Sequence, residues 1–337
     1  MKIILATGIY PPEIGGHSFY VESLKHSFEK LGHQVEVVLY GNLKKYPSGL
    51  RHLLYALKLW RVARSADAVI GFDSFSIAVP LGLIAPILRI PVVERIGGDF
   101  IWEQYNKRTE DFIPLPQFYR YTDRWGWKDR LCLRLIRFAL SRLGIVFSST
   151  WQRDLWMAPY HLHSSRVHII ENAIPPRLSS LPPERTNFML YGRQIPLKNA
   201  ERFRAALTRA QKRNGYIELD EGAIPREELL EKLRRGYAAA LPSISDITPN
   251  YIIESIMCGK PFLITKYSAY ADRFKEFGVI VDPMSEDDME RGILELADRA
   301  VYEKLSRNIA SFTEVRTYDD IAKEFLILLQ KLERLGY

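Results

Sequence analysis

The chain has 337 residues, 47% of them hydrophobic, and carries 47 Lys and Arg against 40 Asp and Glu, a formal net charge of +7. Such a length and apolar content suit two ordinary domains with a core each, and exclude a disordered or fibrous chain. Cys132 and Cys258 lie 126 positions apart, which excludes a disulfide framework, and the longest uncharged run, Ser74 to Leu88, is interrupted by Pro80 and Pro86 and is too short to span ~30 Å of bilayer.

In chain order, Met1 to Ala6 reads as a buried strand and not as the charged and apolar regions of a signal peptide. Tyr10-Pro11-Pro12-Glu13-Ile14-Gly15-Gly16 then leads into a helix that begins near Ser18. No Gly-x-Gly-x-x-Gly follows the strand, so this is not the dinucleotide fingerprint. Further strands are predicted at Val35–Leu39, Ala68–Gly71, Val92–Arg95, Ile145–Ser148 and Val167–Ile170, then at Phe188–Tyr191, Ala238–Leu241, Pro261–Ile264 and Gly278–Val281. Helical patterns alternate with them, which implies α/β architecture with parallel sheets covered by helices. The Pro-rich stretch around Pro175, Pro176, Pro182 and Pro183 marks a linker, so the expected domains are 1–172 and 187–316, joined by 173–186 and followed by a terminal helix in 317–337.

The net positive charge sits in the first half: residues 1–170 hold 22 Lys and Arg against 14 Asp and Glu, and 171–337 hold 25 against 26. Residues 42–64 contain six basic residues and no acidic one, with Leu53, Leu54, Leu57 and Trp60 at helical spacing. Residues 117–142 carry seven basic residues, among them Arg120, Arg124, Arg130, Arg134 and Arg137, interleaved with Phe118, Tyr119, Tyr121, Trp125, Trp127 and Phe138. Cations with aromatic rings suit an anionic membrane surface, which is the expectation here, and domain-packing helices with solvated faces are the alternative. No RNA-binding motif accompanies them, so no nucleic-acid partner is expected.

Two stretches of the second half carry chemistry. Tyr191-Gly192-Arg193-Gln194-Ile195-Pro196-Leu197-Lys198 follows an apolar strand and places two cations in the loop before a helix. Leu241-Pro242-Ser243-Ile244-Ser245-Asp246-Ile247-Thr248-Pro249-Asn250-Tyr251-Ile252-Ile253-Glu254 ends a strand, carries Asp246 in a loop, opens a helix near Pro249-Asn250 and places Glu254 on it. A helix start offers unpaired N–H groups and the positive end of a dipole to a phosphate, and flanking carboxylates accept from sugar hydroxyls. The ligand expected from these residues is a sugar attached to a diphosphate.

Asp246 and Glu254, the turn Cys258-Gly259-Lys260-Pro261, the Gly192-Arg193…Lys198 loop and the Pro11-Pro12…Gly15-Gly16 loop together resemble family 4 glycosyltransferases. The resemblance covers nearly the whole chain and implies a GT-B fold: two Rossmann-like domains facing a cleft, with the last helix crossing back to the N-terminal domain. It implies that Arg193, Lys198, Gly15, Gly16 and the helix start at Thr248, Pro249, Asn250 and Tyr251 hold the donor diphosphate. Asp246 would then hold sugar hydroxyls and Glu254 the ribose.

Three departures accompany it. Asp246 stands where the family carries glutamate, and the stretch between the helix after Lys198 and Ile217 is short, so the C-terminal domain is expected to be abbreviated. Gly97 stands where the family carries histidine, which makes Asp99, in Gly97-Gly98-Asp99-Phe100-Ile101-Trp102-Glu103, the candidate for contacting the reactive region. An Asp after two glycines is equally a helix N-cap.

The resulting expectation is a retaining, metal-independent glycosyltransferase with no cofactor, acting on a lipid-linked or membrane-proximal glycan from the inner, cytoplasmic face of a membrane. The alternative is a catalytically silent scaffold of the same fold that docks on membranes or a partner. An epimerase on this fold would need acid and base groups that the sequence does not display.

Overall fold

The computed structural model describes residues 1–12, 16–43 and 45–334. By its internal contacts the chain divides into two compact units. The first comprises residues 1–105, 121–173 and 316–337; the second comprises 106–120 and 174–315.

The first unit is built on six parallel strands: β1 (Lys2–Thr7), β2 (Gln34–Leu39), β3 (Ala68–Phe72), β4 (Val92–Arg95), β5 (Gly144–Phe147) and β6 (Val167–Ile169). Their spatial order is β2-β1-β3-β4-β5-β6. Ile3, Ile4, Leu5 and Ala6 are all fully buried, as expected of a parallel strand covered by helices on both faces, and the unbroken apolar runs of the sequence reflect that double burial. The last helix, Tyr318–Arg334, belongs to this unit: Ile321, Phe325 and Leu329 pack with Val21, Leu24 and Phe28 of the Gly16–Lys30 helix.

The second unit has five parallel strands: β7 (Thr186–Tyr191), β8 (Ile217–Gly222), β9 (Ala238–Leu241), β10 (Phe262–Thr265) and β11 (Gly278–Val281). They are ordered β11-β10-β9-β7-β8. Apolar clusters centred on Phe203 and on Ile252 form its core. The Pro-rich stretch is tied to this unit by backbone bonds from Leu178 to Met257 and from Leu181 to Arg234. Buried Lys260 adds a third tie, donating to the Leu181 carbonyl at 2.5 Å, and burial pushes its ammonium pKa down to about 8.

Residues 106–120 lie inside the first half of the sequence yet pack with the second unit. The Leu115 N–H donates to Ser245 Oγ at 2.9 Å, and the Gln117 amide to Tyr267 Oη at 2.9 Å. In the first unit, the Ala78–Leu88 and Trp127–Leu140 helices meet where Gly82 has no side chain, since a Cβ there would stand 2.5 Å from Ala139 Cα. Gly82→Val should therefore separate the two helices and lower stability by about 1–3 kcal/mol, read by urea denaturation.

Candidate functional site

In the second sheet the direction of strand addition reverses between β7 and β9, so the crevice of this unit lies outside their carboxyl ends. The two chemistry-bearing loops leave from those ends. Gly192, at φ +146°, turns the chain out of β7, a conformation that a residue with a Cβ rarely adopts. The Ile244 N–H donates to the Leu197 carbonyl at 2.9 Å, which fastens the β9 loop to the β7 loop.

Asn199 fixes both. It is buried at φ +59°, in the left-handed region that Asn tolerates better than most residues, and its amide donates to the carbonyls of Pro242 at 3.0 Å and Pro283 at 2.8 Å. The neighbouring Lys198 then reaches across to Asp246, Nζ to Oδ2 2.5 Å, with both side chains partly exposed. Two residues expected to serve phosphate and sugar separately are thus ion-paired with each other. Arg193 is exposed, and its guanidinium makes no ion pair among the described residues. Of the two cations in this loop, Lys198 is thus paired and, among the described residues, Arg193 is not.

The Asn250–Met257 helix begins after Pro249 with no side-chain cap. Thr248 and Asn250 are half-buried beside that start and Pro249 is buried. Glu254 is 8% exposed and accepts from Arg226 Nε at 2.7 Å. Burial raises its carboxyl pKa, while Arg226 opposes the rise. The Tyr251 side chain serves the core, its buried hydroxyl donating to the Met189 carbonyl at 2.6 Å, while its backbone lies in the first turn of the helix.

Asp99 is likewise corrected. It is 1% exposed, accepts the Trp102 N–H at 3.0 Å as a helix cap, and accepts the Tyr160 hydroxyl at 3.1 and 3.2 Å. Gly16 opens the first helix, and Gly15 lies outside the described residues. Of the basic and aromatic set, Trp127, Arg124, Arg130 and Arg134 are exposed in the first unit, whereas Trp125 is buried. Arg137 is held by the Pro159 carbonyl at 2.8 and 2.6 Å, and Arg120 belongs to the segment that packs with the second unit.

Sequence reasoning missed Asn199, Arg226, Ser245 and Tyr267. Only Asn199, an Asn directly before a helical pattern, carried a recognisable cap-like signal.

No protein-family model matches the chain, and no curated protein matches it in sequence. Among solved structures, sucrose-phosphate synthase from Thermosynechococcus elongatus is similar at a TM-score of 0.74 and 14% identity, covering 98% of this chain and 99% of its own. HepE from Anabaena, solved with UDP and glucose, matches at 0.70 and 13% identity, over 98% and 100%. WaaG, a glycosyltransferase involved in lipopolysaccharide biosynthesis, matches at 0.69 and 14%, over 97% and 99%. These likenesses, together with the two parallel sheets, establish a GT-B fold.

Asn199→Ala should leave the Pro242 and Pro283 carbonyls without their buried donor. An expected loss of about 1–3 kcal/mol in urea denaturation checks this.

Proposed function

We propose that this chain is a glycosyltransferase that moves a sugar from a nucleotide-diphosphate donor to a hydroxyl group, with retention and without an essential metal. The observation that carries the reading is that Arg193, the Lys198–Asp246 pair and the Asn250 helix start all lie on the loops that leave the carboxyl ends of β7 and β9. That combination suits a sugar diphosphate. Arg193 offers a planar fork and Lys198 a point charge to the pyrophosphate, and the helix N–H groups complete its shell.

Pairing with Asp246 gives Lys198 a second task. A diphosphate competes with Asp246 for the ammonium, and the carboxylate so released accepts from the donor's sugar hydroxyls. As the glycosidic bond breaks, charge grows on the leaving phosphate, and the cations stabilise it more strongly than in the ground state. Retention follows if the acceptor attacks from the same face, with the leaving phosphate taking its proton. Glu254, held by Arg226, accepts from the ribose. The UDP named with HepE and the UDP-2-fluoroglucose named with a structure from E. coli are consistent with such a donor.

The acceptor in this reading is a lipid-linked or membrane-proximal glycan, and the first unit offers a surface for the membrane. The Ala78–Leu88 helix packs against both the Ser48–Ala63 and the Trp127–Leu140 helices. Trp127 is 71% exposed, Ile87 65% and Leu53 61%, with Leu50, Leu57, Leu83, Leu131 and Phe138 also exposed. The only acidic residue of the three helices, Asp129, is buried and accepts the Gly126 N–H. Exposed apolar side chains with unopposed arginines fit an anionic lipid surface, where each cation contributes ~1 kcal/mol. No described helix is long and apolar enough to cross a membrane.

A thermal-shift series with UDP, GDP, ADP and dTDP and their sugar conjugates, without divalent metal, tests the donor site. Selective stabilisation by one nucleotide, lost in Arg193→Ala, is the expected result, and no shift at millimolar ligand favours the silent scaffold. Arg193→Ala and Lys198→Ala should each lower turnover by ~10²–10³ while the fold persists, by analogy with removal of an oxyanion-hole donor. Arg130→Glu with Arg134→Glu should release the protein from anionic vesicles in sedimentation, and unchanged sedimentation would remove the membrane surface from the proposal.

A further inference from the structure

The first sheet also has a switch point. Its strand order reverses between β1 and β3, so a ligand crevice of the first unit is expected outside their carboxyl ends. Thr7 ends β1, Phe72 ends β3, and His17, second residue of the Gly16–Lys30 helix, lies against both. The imidazole meets the Phe72 ring edge-on at 6.0 Å between centroids, and its Nε2 is 3.0 Å from Thr7 Oγ1.

The hydrogen bonds of Thr7 favour one tautomer of that imidazole. A threonine hydroxyl has one hydrogen, and Thr7 donates it to the Ile9 carbonyl at 2.9 Å. With that hydrogen on the Ile9 carbonyl, the Thr7 oxygen accepts from His17 Nε2. Nε2 carries the hydrogen of the neutral ring, and Nδ1 is left with a bare lone pair. Burial, reinforced by the Arg95 charge, pushes the His17 pKa down to about 4, so the ring is neutral at physiological pH.

The lone pair faces an opening. A Cβ on Gly97 would stand 3.9 Å from His17 Nδ1 and 3.8 Å from Arg95 Nη1, so the missing side chain leaves a space bordered by a neutral acceptor and a fixed cation. Arg95 is itself anchored: its Nη2 donates to Asn172 Oδ1 at 2.5 Å, and its guanidinium covers the Tyr20 ring at 3.9 Å. Nδ1 has no hydrogen-bond partner among the described residues. A hydroxyl suits this arrangement because it can give its hydrogen to Nδ1 and present its oxygen, or a neighbouring one, to Arg95. A fully ionised phosphate lacks the hydrogen that Nδ1 requires.

We propose that His17 Nδ1 accepts a hydrogen bond from a sugar hydroxyl of the acceptor substrate, with Thr7 holding the imidazole in the tautomer that makes this possible. The inference rests on the glycosyltransferase reading for the identity of the ligand and on the first unit alone for the geometry. His17 thereby positions the acceptor.

The test separates the two. In protein labelled with ¹⁵N at histidine, His17 should show the Nε2–H tautomer, and Nδ1 should shift saturably when methyl α-glucoside or methyl α-mannoside is added. Thr7→Val should release the tautomer preference, and Thr7→Ser should keep it. In a transfer assay, His17→Asn, whose amide oxygen can reach the δ position, should retain a near-native acceptor KM. His17→Gln, which reaches Thr7 but not the opening, should raise it ~10-fold, the equivalent of one lost hydrogen bond. A purely structural His17 predicts the reverse order, with Gln the better substitute. An Nδ1–H tautomer, a charged ring at pH 7, or an Nδ1 signal indifferent to both glycosides overturns the proposal. If the wild-type protein transfers no sugar at all, the functional reading fails, and the ¹⁵N titration still decides the role of His17.

Discussion

The side-chain amide of Asn199 donates to the carbonyls of Pro242 and Pro283, and those bonds join the ends of β7, β9 and β11. Strand ends in a parallel sheet have nothing of their own to hold the loops that leave them, and a loop with unpaired backbone groups would be costly to bury. Asn199 removes both problems with one residue. Its left-handed backbone turns the chain back toward the sheet, its amide meets the two proline carbonyls, and its own oxygen accepts from Arg202 at 3.2 Å. Together with the Ile244–Leu197 backbone bond, these contacts fix the loops on which Lys198 and Asp246 meet.

The Lys198–Asp246 pair shapes the chemistry that follows. An ammonium already satisfied by a carboxylate costs less to keep in a partly buried site than a lone one. In the proposed donor site, the same pairing would make phosphate binding an exchange of partners, with Asp246 released for another contact. Ser245, the residue before Asp246, accepts from the Leu115 backbone, and the Tyr267 carbonyl accepts from the Asp246 backbone. Through Ser245 and Tyr267, residues 106–120 support the same loop that carries the acidic residue.

Most strands were legible because parallel strands are buried on both faces and so read as continuous apolar runs, as at Ile3–Ala6 and Phe262–Ile264. The loops that bear Arg193, Lys198 and Asp246 were legible because Gly192 and Pro249 punctuate the chain there. Pairings across loops were not, since nothing in the spacing of Lys198 and Asp246, or of Arg226 and Glu254, says that they touch. Burial defeated local reasoning in two other places. Asp99 could cap a helix or meet a ligand, and the Tyr160 hydroxyl that closes around it lies 61 residues away. Trp125 and Trp127 differ by two positions and read alike, yet one is in the core and the other is exposed.

The chain passes between its two units at residues 105–106, 120–121, 173–174 and 315–316. Neither unit is therefore one continuous stretch of sequence, and cutting the chain at its Pro-rich linker does not yield two self-sufficient halves. During synthesis the second unit has all its segments before the first does. Val21, Leu24 and Phe28 are made well before Ile321, Phe325 and Leu329, which cover them. The unit that is begun first is thus completed after the second, and the apolar face of its Gly16–Lys30 helix stays open until the Tyr318–Arg334 helix is made.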